Sequence, residues 1–262
     1  NMGIAFIGSS TAANMDSGND IGGTSALTGN TLTNWGGASA ASSYISNSGT
    51  SYCIYSNHQI GENISYNTLT SASVSGTVVT FRGIFKDYTA GQPSGTFSTT
   101  ISNNTITLSS AFTSGTFECV KSQGLTPVLS TATLNINNNT MLNCVVSGVA
   151  SSSNMVGFSN SSAFGIISIS NNVTRGNTST ATSGGFTGVL NSGAANTSVT
   201  LNNNQIGNGS GNAITFSAAT SGTVIGVSST GGTNTCALSM TGNTFQGFIH
   251  SVTGSSSHTY LN

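Results

Sequence analysis

The sequence predicts an all-β chain wound as a right-handed parallel β-helix, and three observations carry that prediction. One short motif recurs in register along the chain, the residues around it alternate apolar and polar, and helix formers are scarce. The motif is an apolar residue, two further residues, then Asn. Its seven copies end at Asn30, Asn67, Asn104, Asn139, Asn172, Asn204 and Asn243, giving about seven coils of 32–39 residues. Three residues before each Asn stands Leu27, Ile64, Ile101, Ile136, Ile169, Leu201 or Met240. Residues 1–262 therefore read as one repeat domain, and both ends read as cuts through a longer repeat protein.

Charged residues make up 3% of the chain, against roughly 25% in an ordinary globular domain. Gly, Ser, Thr and Asn fill the positions that charges would take. The only basic residues are Arg82, Lys86, Lys121 and Arg175, too few and too scattered to neutralise a phosphate backbone, so nucleic acid is not an expected partner. Apolar runs of a few residues fall far short of the ~20 needed to cross a bilayer, so no membrane insertion is expected.

Taken in order, Gly3-Ile4-Ala5-Phe6-Ile7 is strand-like, and Asp16-Ser17-Gly18-Asn19-Asp20 reads as a solvated turn with too few ligand oxygens for calcium. From Ser25 the repeat takes over. Leu134-x-Ile136, Ile167-x-Ile169, Val199-x-Leu201 and Leu238-x-Met240 alternate with period two, the pattern of a strand with one buried face. A second strand starts after the Asn, as in Thr31-Leu32-Thr33, Thr68-Leu69-Thr70 and Thr105-Ile106-Thr107, so the Asn marks a corner. Gly29, Tyr66, Asn103, Asn138, Asn171, Asn203 and Gly242 precede it, and Asn and Gly tolerate the positive φ a corner requires.

A further wall follows in Phe81-Arg82-Gly83-Ile84, Phe117-Glu118-Cys119-Val120, Met155-Val156-Gly157-Phe158, Phe186-Thr187-Gly188-Val189 and Val224-Ile225-Gly226-Val227. Apolar residues three apart break strict alternation, which predicts a bend or bulge and leaves open which member of each set points inward. Variable Gly/Ser/Thr/Ala turns such as 90–95 and 151–154 join the walls. Equivalent residues on successive coils then lie at the ~4.8 Å strand spacing. The seven Asn side chains are expected to form a hydrogen-bonded ladder that satisfies amides the coil buries.

The copies Ile101-Ser-Asn-Asn-Thr-Ile106, Leu134-Asn-Ile-Asn-Asn-Asn-Thr140 and Leu238-Ser-Met-Thr-Gly-Asn-Thr-Phe245, with the segment Ser221-Gly-Thr-Val-Ile-Gly-Val227, resemble Asn-rich β-helix repeats. Such repeats build very large secreted and cell-surface proteins, notably Bacteroidota-type adhesins exported by the type IX system. The resemblance covers nearly the whole chain. It implies a secreted or surface stalk or adhesin, with further β-helix coils of the same protein as partners, and neighbouring copies, surface glycans and export machinery as other contacts.

Enzyme chemistry is not expected. Glycoside hydrolysis needs two carboxylates ~5–10 Å apart, yet only Asp16, Asp20, Glu62, Asp87 and Glu118 are present. In the repeat register no two of them fall in one column on adjacent coils. His58, His250 and His258 stand in unrelated repeats without acidic partners and read as exposed or terminal residues, and no nucleophile motif such as G-x-S-x-G occurs. Cys53, Cys119, Cys144 and Cys236 have no metal-ligand spacing and read mainly as small buried hydrophobes, with a disulfide between coils as the alternative. No cofactor or metal is expected.

Two binding readings stand beside the spacer. The Thr-x-Thr column of Thr31/Thr33, Thr68/Thr70 and Thr105/Thr107 is the kind of flat array that binds ice, but it continues as Thr140/Leu142, Val173/Arg175, Gln205/Gly207 and Thr244/Gln246. Trp35, Tyr44, Tyr52, Tyr55 and Tyr66 offer rings that stack on sugars, with packing in core or loops as the alternative. Register makes one further prediction. If Phe81 and Phe117 are equivalents, Arg82 and Glu118 are outward neighbours forming an inter-coil ion pair worth ~0–1 kcal/mol at an exposed site.

Overall fold

A computed structural model describes residues 2–36, 50–74, 80–89, 92–126, 129–148 and 152–261. Its strands stack by parallel pairing into three walls that the chain visits in turn. The A wall holds eight strands: Met2–Ile7, Thr50–Asn57, Thr80–Asp87, Thr116–Gln123, Asn154–Asn160, Phe186–Asn191, Val224–Ser229 and His258–Leu261. The B wall holds seven, from Asp20–Ile21 through Ser98–Ser102 and Leu129–Asn137 to Ala237–Ser239. The C wall begins as single strands, Thr31–Trp35, Thr68–Val74 and Thr105–Ser110. From the next coil on it divides into pairs, Thr140–Leu142 with Val145–Val146 being the first.

The register is that of an in-line repeat. Ile101 pairs with Ile64 on one side and Ile136 on the other. Phe81 pairs with Phe117, and Thr68 lies between Thr31 and Thr105. Beyond Thr105 the outward column runs through Thr140, Val173, Gln205 and Thr244, so the Thr array does not persist past the early coils. The division of the C wall comes from a second corner, where Asn143, Gly176, Gly207 and Gly247 all take positive φ. The repeat motif does not announce this corner.

In the A wall both apolar positions point inward. Phe81 and Ile84 are fully buried, as are Phe117 and Val120. Between them Gly3, Cys53, Gly83, Cys119, Gly157, Gly188 and Gly226 occupy the bend, where residue size is limited by the facing C wall. A Cβ at Gly188 would lie 2.6 Å from Ile206 Cδ1, and one at Gly226 only 2.3 Å from a Phe245 ring carbon. Where the bend carries Cys119, the facing residue is the small Cys144.

The core fills the space between the walls. Phe81 packs against Trp35, Phe112 and Phe117 with ring centroids 5.1, 6.3 and 5.8 Å away, which places Trp35 in the interior. A second cluster of Tyr88, Phe97 and Phe164 fills the angle between A and B walls, and the one polar atom of Tyr88 is spent on Thr99 Oγ1 at 2.9 Å.

One local expectation is corrected. Leu27 does not supply the first copy's inward apolar residue: it is 98% exposed, and Ile21 pairs with Ile64 in its place. The segment Gly22–Gly29 is an insertion between that strand and its corner, so counting back three residues from Asn30 lands in the loop. The stretch Asp16–Asp20 is the exposed turn expected of it, with a short paired strand on either side. Asp16–Ser17 pairs with Gln59–Ile60, Asp20–Ile21 opens the B wall, and Gly18 makes the turn at φ 70°.

Candidate functional site

The most extensive polar structure is the column of Asn side chains at the corner between B and C walls. Each Asn donates from Nδ2 to Oδ1 of the next: Asn30 to Asn67, Asn67 to Asn104 and Asn104 to Asn139 at 2.9 Å each. The series continues from Asn139 to Asn172 and Asn172 to Asn204 at 3.2 Å, and from Asn204 to Asn243 at 3.1 Å. The same Oδ1 also accepts the backbone N–H of the preceding Asn, at 2.9 Å from Asn139 to Asn172 for example. The second Nδ2 hydrogen goes back to the carbonyl of the apolar position one coil earlier, as from Asn104 to Ile64 and Asn172 to Ile136 at 2.8 Å. A buried amide in mid-column thus uses both donors and both acceptor directions.

The corner is set by the residue before the ladder. Tyr66, Asn103, Asn138, Asn171, Asn203 and Gly242 have φ between 56° and 66°, the left-handed region that turns the chain so the following side chain faces in. Gly29 does not share this conformation, consistent with the insertion before it. Shorter versions of the ladder occur elsewhere. Asn177 Oδ1 accepts the Cys144 N–H at 3.0 Å at the second corner, and Asn160 donates to Asn191 at 2.9 Å at the end of the A wall. Both lie outside the repeat motif and escape a search built on it.

The ion pairs form two groups. Inside the coil, Lys86 Nζ is 3.0 Å from Glu62 Oε1, with both side chains sealed from solvent. Nζ also donates to the Gln59 carbonyl at 2.7 Å and stands 3.9 Å from the centre of the Tyr88 ring, while the Ser56 hydroxyl donates to Glu62 Oε2. Burial pulls the Lys86 ammonium below its ordinary pKa, and the Glu62 carboxylate opposes that shift.

On the outer side of the A wall, Arg82 Nε meets Glu118 Oε2 at 2.6 Å, and Glu118 Oε1 takes Lys121 at 3.7 Å and the Ser159 hydroxyl at 2.9 Å. The pair lies deeper than an outward strand position suggests, with side chains 12% and 6% exposed. The Arg82 guanidinium covers the Phe85 ring at 4.2 Å, while the rings of Tyr52 and Tyr55 stack on each other at 5.2 Å, and Tyr55 stacks on Phe85 at 5.4 Å while Tyr52 meets it tilted at 4.8 Å. Tyr44 lies outside the described residues.

The remaining carboxylates are held just as locally. Asp16 accepts from Gln59, Asp20 from the Gly23 N–H and Asn63, and Asp87 from the N–H of Thr89. Cys53, Cys119 and Cys144 are fully buried free thiols and Cys236 is half-buried. Cys119 and Cys144 touch across the interior with sulfurs 3.8 Å apart, and burial pushes the Cys119 thiol well above its usual pKa.

His58 departs from the sequence reading, whereas His258 is exposed as expected and His250 is half-buried. His58 is buried, with Nδ1 3.2 Å from the Gly8 carbonyl, because the turn at φ 56° folds it under the first coil. His250 and His258 belong to one coil and meet, Nε2 to Nε2, at 3.0 Å. Their separation of only eight residues was the available signal, but nothing in the repeat shows that both sides of that turn face inward.

No family model, curated protein or solved structure matches the chain.

The fold is therefore established by its own geometry, a parallel β-solenoid of repeats. Chemically, the arrangement holds coils together. Its ladders and the Arg82–Glu118 and Lys86–Glu62 pairs run between successive coils rather than converging on one groove, and among the described residues no three His, Cys, Asp or Glu side chains gather at one point.

Proposed function

We propose that this chain is a non-catalytic structural or adhesive spacer of a large secreted or cell-surface protein. The observation that carries the reading is the commitment of all five carboxylates to local structural contacts, alongside an Asn ladder devoted to joining coils. A carboxylate fixed by a neighbouring Lys, Arg or backbone N–H is poorly placed to exchange protons with a substrate. Localisation rests on the nearly uncharged surface and on the resemblance of the repeats to Asn-rich β-helices of exported adhesins. In this reading the partners are further coils of the same protein, neighbouring copies and the export machinery, and no cofactor takes part.

The test is to incubate the chain with a broad polysaccharide panel and to observe ice growth at micromolar protein. The expected outcome is neither reducing-sugar release nor thermal hysteresis; either activity replaces the spacer reading with the corresponding rival. A second reading, carbohydrate recognition, is favoured by the stacked, half-exposed rings of Tyr52 and Tyr55 beside Arg82. It predicts glycan-array binding that Tyr52→Ala and Tyr55→Ala abolish.

A further inference from the structure

We infer that His250 and His258 form a binding site for a divalent late transition-metal ion, held by the two Nε2 atoms on the final described coil. The geometry is the argument. At a metal–nitrogen distance of ~2.1 Å, two imidazoles bound at a right angle stand ~3.0 Å apart, and two on a tetrahedral ion ~3.4 Å. The observed separation is 3.0 Å. Both rings are held by neighbours. His250 stacks on Phe216 of the coil below, centroids 4.9 Å apart and planes 16° from parallel, while His258 meets Phe248 edge-on at 6.3 Å.

The connecting turn is tied to the preceding coil by hydrogen bonds that include Ser251 N to Phe216 O at 2.9 Å, and Ser255 N and Ser256 Oγ to Thr220 O at 3.0 Å each. The two imidazoles line an open cavity of about 380 Å³ with Ser251, Thr253, Gly254 and Ser256. Imidazole nitrogens without carboxylate or thiolate suit Ni²⁺, Zn²⁺ and Cu²⁺ rather than Mg²⁺ or Ca²⁺.

The competing arrangement is a neutral pair sharing one N–H···N hydrogen bond, which needs no ion. Calorimetric titration of the chain, carrying no histidine tag, with NiCl₂ and ZnCl₂ separates the two. Ni²⁺ is the primary probe because it does not oxidise the thiols as Cu²⁺ does. One ion per chain is expected, with Ni²⁺ raising the melting temperature and MgCl₂ doing neither. His250→Phe keeps the ring stack on Phe216 and removes the ligand, so an at least tenfold loss of affinity with unchanged circular dichroism is expected from it. His258→Ala should lose as much and His58→Ala nothing. Absence of Ni²⁺ uptake by the unaltered chain, or uptake that survives both His250→Phe and His258→Ala, overturns the site.

Discussion

Asn139 shows what a single residue contributes. It donates to Ile101 O and Asn172 Oδ1, and its own Oδ1 accepts the backbone N–H and Nδ2 of Asn104. Asn139→Leu strands partners on both neighbouring coils at ~1–3 kcal/mol for each buried group left unsatisfied. The urea midpoint should therefore fall by an amount equivalent to several kcal/mol, whereas Asn135→Leu on the outer side of the preceding strand should change it little. The ladder position was legible because a column repeated in every coil leaves a periodic mark in the chain. The His250–His258 contact occurs once and leaves none. Thiols give a second residue-scale prediction. Burial raises the Cys53 and Cys119 pKa values and so suppresses their reactive thiolates. A maleimide should label half-buried Cys236 first in the native protein, with the others reacting only on unfolding.

Within an element, the bend of the A wall decides what is tolerated. Gly157 has the Gly188 carbonyl 2.4 Å from where a Cβ would stand, and a methyl of Thr174 at 3.2 Å. Since the closest atom is backbone, a rotamer change cannot relieve the contact. Gly157→Ala should cost ~1–3 kcal/mol, typical of overpacking, and differential scanning calorimetry would read this as a lower melting temperature. The apolar spacing Phe-x-x-Ile made the bend legible but not the direction of its two apolar residues, because that depends on the facing wall: Gly opposite Ile206 or Phe245, Cys opposite Cys. The same limit explains Leu27. A motif fixes spacing only where no residues are inserted, and Gly22–Gly29 separates Ile21 from its corner. The second corner was hidden for another reason, since Asn143, Gly176, Gly207 and Gly247 share a conformation but not a residue type.

Across the whole molecule, stability passes from coil to neighbouring coil, so a weak coil at one end loosens without unfolding the middle. The coil bearing His250 and His258 is where pH should act. His250 has a folded-state pKa below its ordinary value of 6.5, through burial first and the neighbouring His258 second, so the unfolded chain binds the proton more readily. Stability contributed by this coil is present above about 6.5 and is lost as pH falls through the lowered folded value. Amide hydrogen exchange of residues 248–261 should accelerate on going from pH 7.5 to 5, after correction for intrinsic rates, while exchange of 134–142 stays slow. His250→Phe should flatten the response.

The Asn column also has a sense of direction. Every Asn-to-Asn link from Asn30 to Asn243 runs the same way, with one Nδ2 hydrogen and the backbone N–H pointing toward the later coil and Oδ1 toward the earlier one. Any stretch of such a column thus presents acceptors toward its earlier side and donors toward its later side. Two such columns brought together in line match only when unlike ends meet. Like ends would bring oxygen to oxygen or hydrogen to hydrogen, so the rod carries an arrow, and any end-on joining of copies would keep that arrow pointing one way.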